Sequence, residues 1–179
     1  MRKHLVLGAA ALAAALALFG CSKEAPAPAE ATPPASQAAA EPSASEKLDA
    51  VLAAQSEQDK ARYAHRHPKE TLEFFGIQPG MTVVDTIPGD VWYAGLLMDY
   101  LGPDGKVIAA DYSKEMWTLF GDYSPKPEEK AKWADEFTAK LNAKRDADDA
   151  QVVAIHYGEV PDDLAGTADV VLIVRAIHH

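Results

Sequence analysis

The chain contains one cysteine, Cys21, in 179 residues. An intramolecular disulfide and any cysteine-based zinc cluster are therefore excluded. Cations are scarce: 17 Lys and Arg stand against 27 Asp and Glu, for a formal net charge of −10. A body of that sign repels DNA, RNA and anionic lipid, so no nucleic acid is expected as a partner. A nucleophile elbow, a phosphate-binding loop and an internal repeat are absent. Long apolar runs are lacking too, apart from one at the N-terminus. What remains is 48% apolar and 25% charged residues in a length suited to one ordinary domain, which rules out global disorder.

The N-terminal exception begins with a cationic stretch at residues 1–4 and continues as an Ala/Leu run at 5–19. That run has the length of a signal peptide's apolar region and is short for a bilayer span. It ends Leu18-Phe19-Gly20-Cys21, which resembles a bacterial lipobox. The same residues also suit an ordinary secretory signal or a plain anchor helix. The lipobox reading is preferred because the only cysteine falls where the run stops. It implies removal of residues 1–20 and lipidation of Cys21, which takes the net charge to −12 by deleting Arg2 and Lys3. Acyl chains contribute about 0.8 kcal/mol per buried methylene, so the expected partner on that side is a membrane. The expected address is the periplasmic face of the bacterial envelope, with Ser22 favouring the outer membrane. Residues 21–45 are rich in Ala, Glu, Ser and Pro, with Pro26, Pro28, Pro33, Pro34 and Pro42 spaced against helix and strand alike, and read as a tether.

Residues 46–179 read as the folded body. Helix formers at 46–64, with Leu48, Val51, Leu52, Gln55 and Ala61 on one stripe, predict a surface helix. Pro68 opens and Gly76 closes a short helix, with Leu72, Phe74, Phe75 and Ile77 expected in the core. Apolar, β-branched runs at 81–87, 106–111, 151–156 and 169–174 predict four strands. Helical patterns separate the first three. One covers 92–101; another is capped by Ser113 and bears Met116, Trp117 and Phe120; the last starts at Pro127 and aligns Trp133, Ala134, Phe137 and Leu141. Strands alternating with helices predict an α/β, Rossmann-like parallel sheet with flanking helices.

At Val83-Val84-Asp85-Thr86-Ile87-Pro88-Gly89, a strand ending in an acid before a glycine turn, the chain resembles class I S-adenosylmethionine-dependent methyltransferases. More closely, it looks like an exported, methyltransferase-like branch. The blocks carrying that likeness are 66–72 (Arg-His-Pro-x-Glu-Thr-Leu), 74–76 (Phe-Phe-Gly), 79–84 (Pro-Gly-Met-x-Val-Val), and Pro88, Gly89, Trp92 and Tyr93. The resemblance implies that S-adenosylmethionine is the cofactor. Gly89 would lie in the loop around its methionyl part and Asp85 would orient the amino end. Asp111, in a segment resembling acid-x-Ser-x-x-Met, would accept from the ribose hydroxyls, and Glu159 would lie near the adenine. Arg175-Ala176-Ile177-His178 resembles an Arg-Asn-x-His segment, which nominates His178 as a catalytic base. The resemblance also implies strands beyond the fourth, so the body is expected to be the N-terminal part of a larger sheet.

Several residues carry plainer readings as well. A strand-end Asp often caps the next helix, Glu159 suits a solvated loop, and Trp92, Tyr93 and Trp117 suit helix packing. The loop also departs from the family, with Ile87 and Val91 where glycines are usual and Asp90 following Gly89. Val91 predicts a reshaped loop, because β-branched residues tolerate left-handed geometry poorly. Two functions follow: a methyltransferase, active or degenerate, with unknown acceptor; or a noncatalytic envelope lipoprotein that binds a small molecule or a protein. Metal binding through His65 and His67 with the terminal His178 and His179 is a weaker third.

Overall fold

The computed structural model describes residues 42–124 and 126–176. The first helix, α1 (Ala44–Ala54), starts where Ser43 and Glu46 cap one another's backbone, and it buries Leu48 and Leu52. The expected single helix over 46–64 is broken into three. Gln55 leaves helical geometry, and its side-chain amide donates to Asp99 at 2.7 Å. Ser56 then restarts the chain by capping α2 (Glu57–Lys60), and α3 (Tyr63–Arg66) follows as one turn. A serine whose hydroxyl can take the amide of Asp59 competes with helix continuation, which the apolar stripe does not reveal.

His67 sits at φ 44°, ψ 56° before Pro68, which opens α4 (Pro68–Phe74). Proline crowds the preceding residue out of the right-handed helical region, and the left-handed turn is the outcome here. Leu72 and Ile77 are buried as expected, but Phe74 is 84% and Phe75 50% exposed. Phe74 lies two residues from Leu72, about 200° around the helix, so the two cannot share a face. The two rings pack edge to face on each other instead.

Four strands form one parallel sheet: β1 (Thr82–Thr86), β2 (Lys106–Asp111), β3 (Gln151–His156) and β4 (Val170–Ile173), in the order β3-β2-β1-β4. The fold is an α/β, Rossmann-like sheet with flanking helices. Between β1 and β2 lies α5 (Trp92–Leu101), whose side chains are buried on nearly all sides. After β2, the Ser113 segment forms α6 (Lys114–Trp117) and a 3-10 stretch (Thr118–Tyr123) kinked at Gly121. Next comes α7 (Pro127–Asn142), which packs Phe137 and Leu141 into the core with Trp133 and Ala134 against it. One sheet face, through Val83, Val107, Ala109, Val152, Ala154 and Leu172, shares that core with the helices.

The strand order has one functional consequence. β1, β2 and β3 step in one direction, whereas the chain after β3 crosses back to lay β4 on the other side of β1. The strand order thus reverses between β1 and β4, and in open α/β sheets ligands bind in the crevice beyond the carboxyl ends of the strands at such a point.

Candidate functional site

The crevice is built by the loop from β1 to α5. Ile87 extends the ladder by one bond, its N–H donating to the Ala110 carbonyl at 2.7 Å, and it adopts φ 50°. Gly89 takes φ 67° at no steric cost. Val91, expected to reshape the loop, lies at φ −79° and ψ 5°. The left-handed strain falls on Ile87 instead. Asp90 occupies the turn as a structural group: Oδ1 accepts from the Trp92 amide at 3.0 Å and Oδ2 from Arg62 at 2.7 Å. Those bonds hold its carboxyl below the usual range against the opposing effect of burial.

Asp85, on β1, is 2% exposed, and its Oδ2 is buried with no hydrogen-bond partner. Burial, and to a lesser degree the charge of Asp90, push its pKa up to about 7. Beside it is a cavity of about 250 Å³ lined also by Arg62, Arg66, Gly89, Tyr93 and Val174. The Tyr93 hydroxyl donates to the Arg66 carbonyl at 3.4 Å, and the Arg62 guanidinium lies 5.6 Å from the Trp92 ring centre. Asp90 also lines the cavity, holding Arg62, so the lining suits a small zwitterion through Asp85 and Arg66: an ammonium would satisfy Asp85, and a carboxylate would meet Arg66. Arg62 and Arg66 come from α2–α4, more than fifteen residues before Asp85, and only the packing brings them here. The Arg-His-Pro block beginning at Arg66 was the available sequence signal; Arg62 lies outside it.

Asp85 and Gly89 thus share one cavity, whose lining includes neither Asp111 nor Glu159. Asp111 is already engaged. Its Oδ2 pairs with Lys130 of α7 at 3.0 Å, and its Oδ1 accepts from the Tyr112 amide at 2.9 Å. The Lys130 ammonium rests 3.6 Å from the centre of the Trp117 ring, a cation–π contact that fixes it over the carboxylate. Glu159 is exposed in the turn after β3 and accepts from Lys114 at 2.8 and 3.1 Å. His178 and Cys21 lie outside the described residues.

His156 was not singled out from sequence, yet it is 2% exposed at the end of β3, in register with Asp111. Its Nδ1 is 2.9 Å from the Tyr112 carbonyl, so the neutral ring would donate there and turn an unpartnered Nε2 inward. Trp133 covers the ring at 5.5 Å. Among the described residues, no three His, Cys, Asp or Glu side chains are grouped to hold a metal ion, and no helix is long and apolar enough to cross a membrane.

No family model and no curated protein matches the chain. Among solved structures, it is similar to a SAM-dependent methyltransferase from Aquifex aeolicus, at 24% sequence identity and a TM-score of 0.39. The match covers 70% of this chain and 55% of that one, so the chain spans about half the length of the protein it resembles.

Proposed function

We propose that the crevice between the carboxyl ends of β1 and β4 binds the amino-acid end of S-adenosylmethionine, and that the chain is a methyltransferase-like lipoprotein anchored through Cys21 in the bacterial envelope. The observation that carries the reading is the Asp85 carboxyl: buried, unpartnered at Oδ2, and beside a cavity also lined by Arg66 and by the Arg62–Asp90 pair. Buried polar atoms are normally satisfied, and one left open beside a cavity suggests a ligand donor. The donor's α-ammonium would bond Asp85 and its carboxylate Arg66. When bound, the sulfonium supplies an electrophilic methyl group. The residues' part is to hold and orient that end of the molecule.

The ribose end fits less well, because Asp111 is paired with Lys130 and would accept from a diol only after that pair opens. This observation favours the second reading, a noncatalytic lipoprotein that uses the same cavity for a smaller zwitterion. Calorimetry distinguishes the two by comparing S-adenosylmethionine, methionine and adenosine. Binding of S-adenosylmethionine, lost in Asp85→Asn, supports the first. Methionine bound as tightly as S-adenosylmethionine supports the second. No binding of either amino-acid compound would overturn the assignment of the cavity.

A further inference from the structure

The Asp85 Oδ2 atom is sealed inside the protein, on a residue only 2% exposed. A ligand ammonium reaches it only if part of the crevice moves. Of the segments lining the crevice, the one from Gln55 to His67 supplies Arg62 and Arg66, and none of its side chains is buried. Leu52 before it and Pro68 after it are buried and fix its ends. Between those anchors its two helices, α2 and α3, are single turns, too short to persist without outside contacts. The backbone leaves right-handed helical geometry at both limits, at Gln55 (φ −62°, ψ 157°) and at His67 (φ 44°, ψ 56°). A left-handed non-glycine residue is strained, and a change of its dihedrals relieves that strain.

The contacts that hold this segment down are polar or aromatic. Gln55 donates to Asp99 at 2.7 Å, Arg62 to Asp90 at 2.7 Å, and the Tyr93 hydroxyl to the Arg66 carbonyl at 3.4 Å. Tyr63 and Arg62 rest on Trp92, with ring centres 6.2 Å apart and the guanidinium 5.6 Å from the indole centre. Water can replace each of the polar partners, so detaching the segment costs far less than opening the core. We propose that residues 55–67 are a lid that pivots at Gln55 and His67, opens to admit a zwitterion to Asp85, and closes by setting Arg66 on its carboxylate. This motion serves the crevice as the binding site proposed above and rests on that reading. Electrostatics order the steps. In the open state Asp90 loses Arg62, and its charge, which already acts on Asp85, makes the crevice more attractive to an ammonium. Closure returns Arg62 to Asp90 and brings Arg66 to the ligand's other end, so the bound molecule itself favours the closed state.

Carbodiimide coupling of glycine amide to the full chain in mild detergent, read by mass spectrometry, reports how often Asp85 is reachable, with exposed Asp104 as the internal reference. Gln55→Ala removes the clasp at Asp99, and Arg62→Gln the one at Asp90; the first leaves every group lining the crevice in place. Each should speed Asp85 labelling about threefold or more relative to Asp104, since a lost hydrogen bond or half-exposed ion pair raises the open population by that order. Amide exchange of residues 57–66 should quicken in step, with Trp92–Leu101 unchanged. A thermal melt of each variant checks that the fold persists. S-adenosylmethionine or methionine should slow both readouts in wild type. Faster labelling in Gln55→Ala with no protection by either compound supports the lid and overturns the ligand assigned above. Labelling of Asp85 indifferent to both substitutions, or exchange at 57–66 as slow as in Trp92–Leu101, would overturn the lid.

Discussion

Replacing Asp85 by Asn removes a carboxylate that the fold keeps dry, with little change of shape. Burial first, and the negative charge of Asp90 second, raise its pKa from 3.8 to about 7. A carboxyl with a raised folded pKa binds its proton more tightly folded than unfolded. Its contribution to stability is therefore fully present below about pH 4 and is lost as the pH climbs to about 7; above that the loss is constant. The gap of about three pH units, at ~1.4 kcal/mol each, corresponds to ~4 kcal/mol. Domains retain only about 5–15 kcal/mol in all, so this is a large penalty for one side chain. Urea unfolding of wild type and Asp85→Asn, followed by tryptophan fluorescence from pH 4 to pH 8, isolates the effect, because the other titrating groups are common to both. The variant should become the more stable protein as the pH rises, by a few kcal/mol at pH 8. S-adenosylmethionine at that pH should stabilise wild type more than the variant, since a bound ammonium would offset the buried charge. A stability difference that stays flat between pH 4 and pH 8 would refute the reasoning, for Asp85 would then be either solvated or paired.

Further outcomes are expected at three places in the chain. The Asp111 and Lys130 side chains are only 7% and 14% exposed, so Lys130→Met should strand a buried charge and cost ~3 kcal/mol or more. Most of that loss should be recovered in Lys130→Met with Asp111→Asn, read from a double-mutant cycle by chemical denaturation. In the loop, Ile87→Gly should relieve ~1–2 kcal/mol of left-handed strain while losing a half-buried side chain, leaving the melting temperature near that of wild type. Asp90→Gly should instead lower stability, by ~1–2 kcal/mol, because Asp90 accepts from the Trp92 amide at the start of α5 and anchors Arg62. Finally, wild type should incorporate labelled palmitate and Cys21→Ala should not, with mass spectrometry giving the N-terminal residue; an unlipidated wild type cleaved elsewhere would end the anchor proposal.

Local pattern was enough to determine most of the elements. The Trp92–Leu101 helix and the Lys106–Asp111 and Gln151–His156 strands have the bounds that periodicity and the flanking turns predict. The other two strands are shorter by one residue at each end. These signals are legible because each rests on neighbours within one turn or one pleat. The break at Ser56 and the outward turn of Phe74 and Phe75 were harder to read, since an apolar stripe does not say when a capping hydroxyl or a helix end prevails.

The candidate site divides along the same line. Asp85 and Gly89 could be named from a strand followed by a glycine turn, because both lie within five residues of one another on the chain. That Asp85 Oδ2 is buried without a partner, that Arg62 and Arg66 line the same cavity, and that Asp111 is closed off by Lys130 of a later helix were decided only by the packing. The strain in the loop likewise fell on Ile87 rather than Val91, because the ladder to Ala110 fixes where the chain turns. Sequence determines which chemical groups are carried and which short segments coil or extend. Desolvation and ion pairing depend on what segments distant in the chain bring alongside, and so they belong to the tertiary structure.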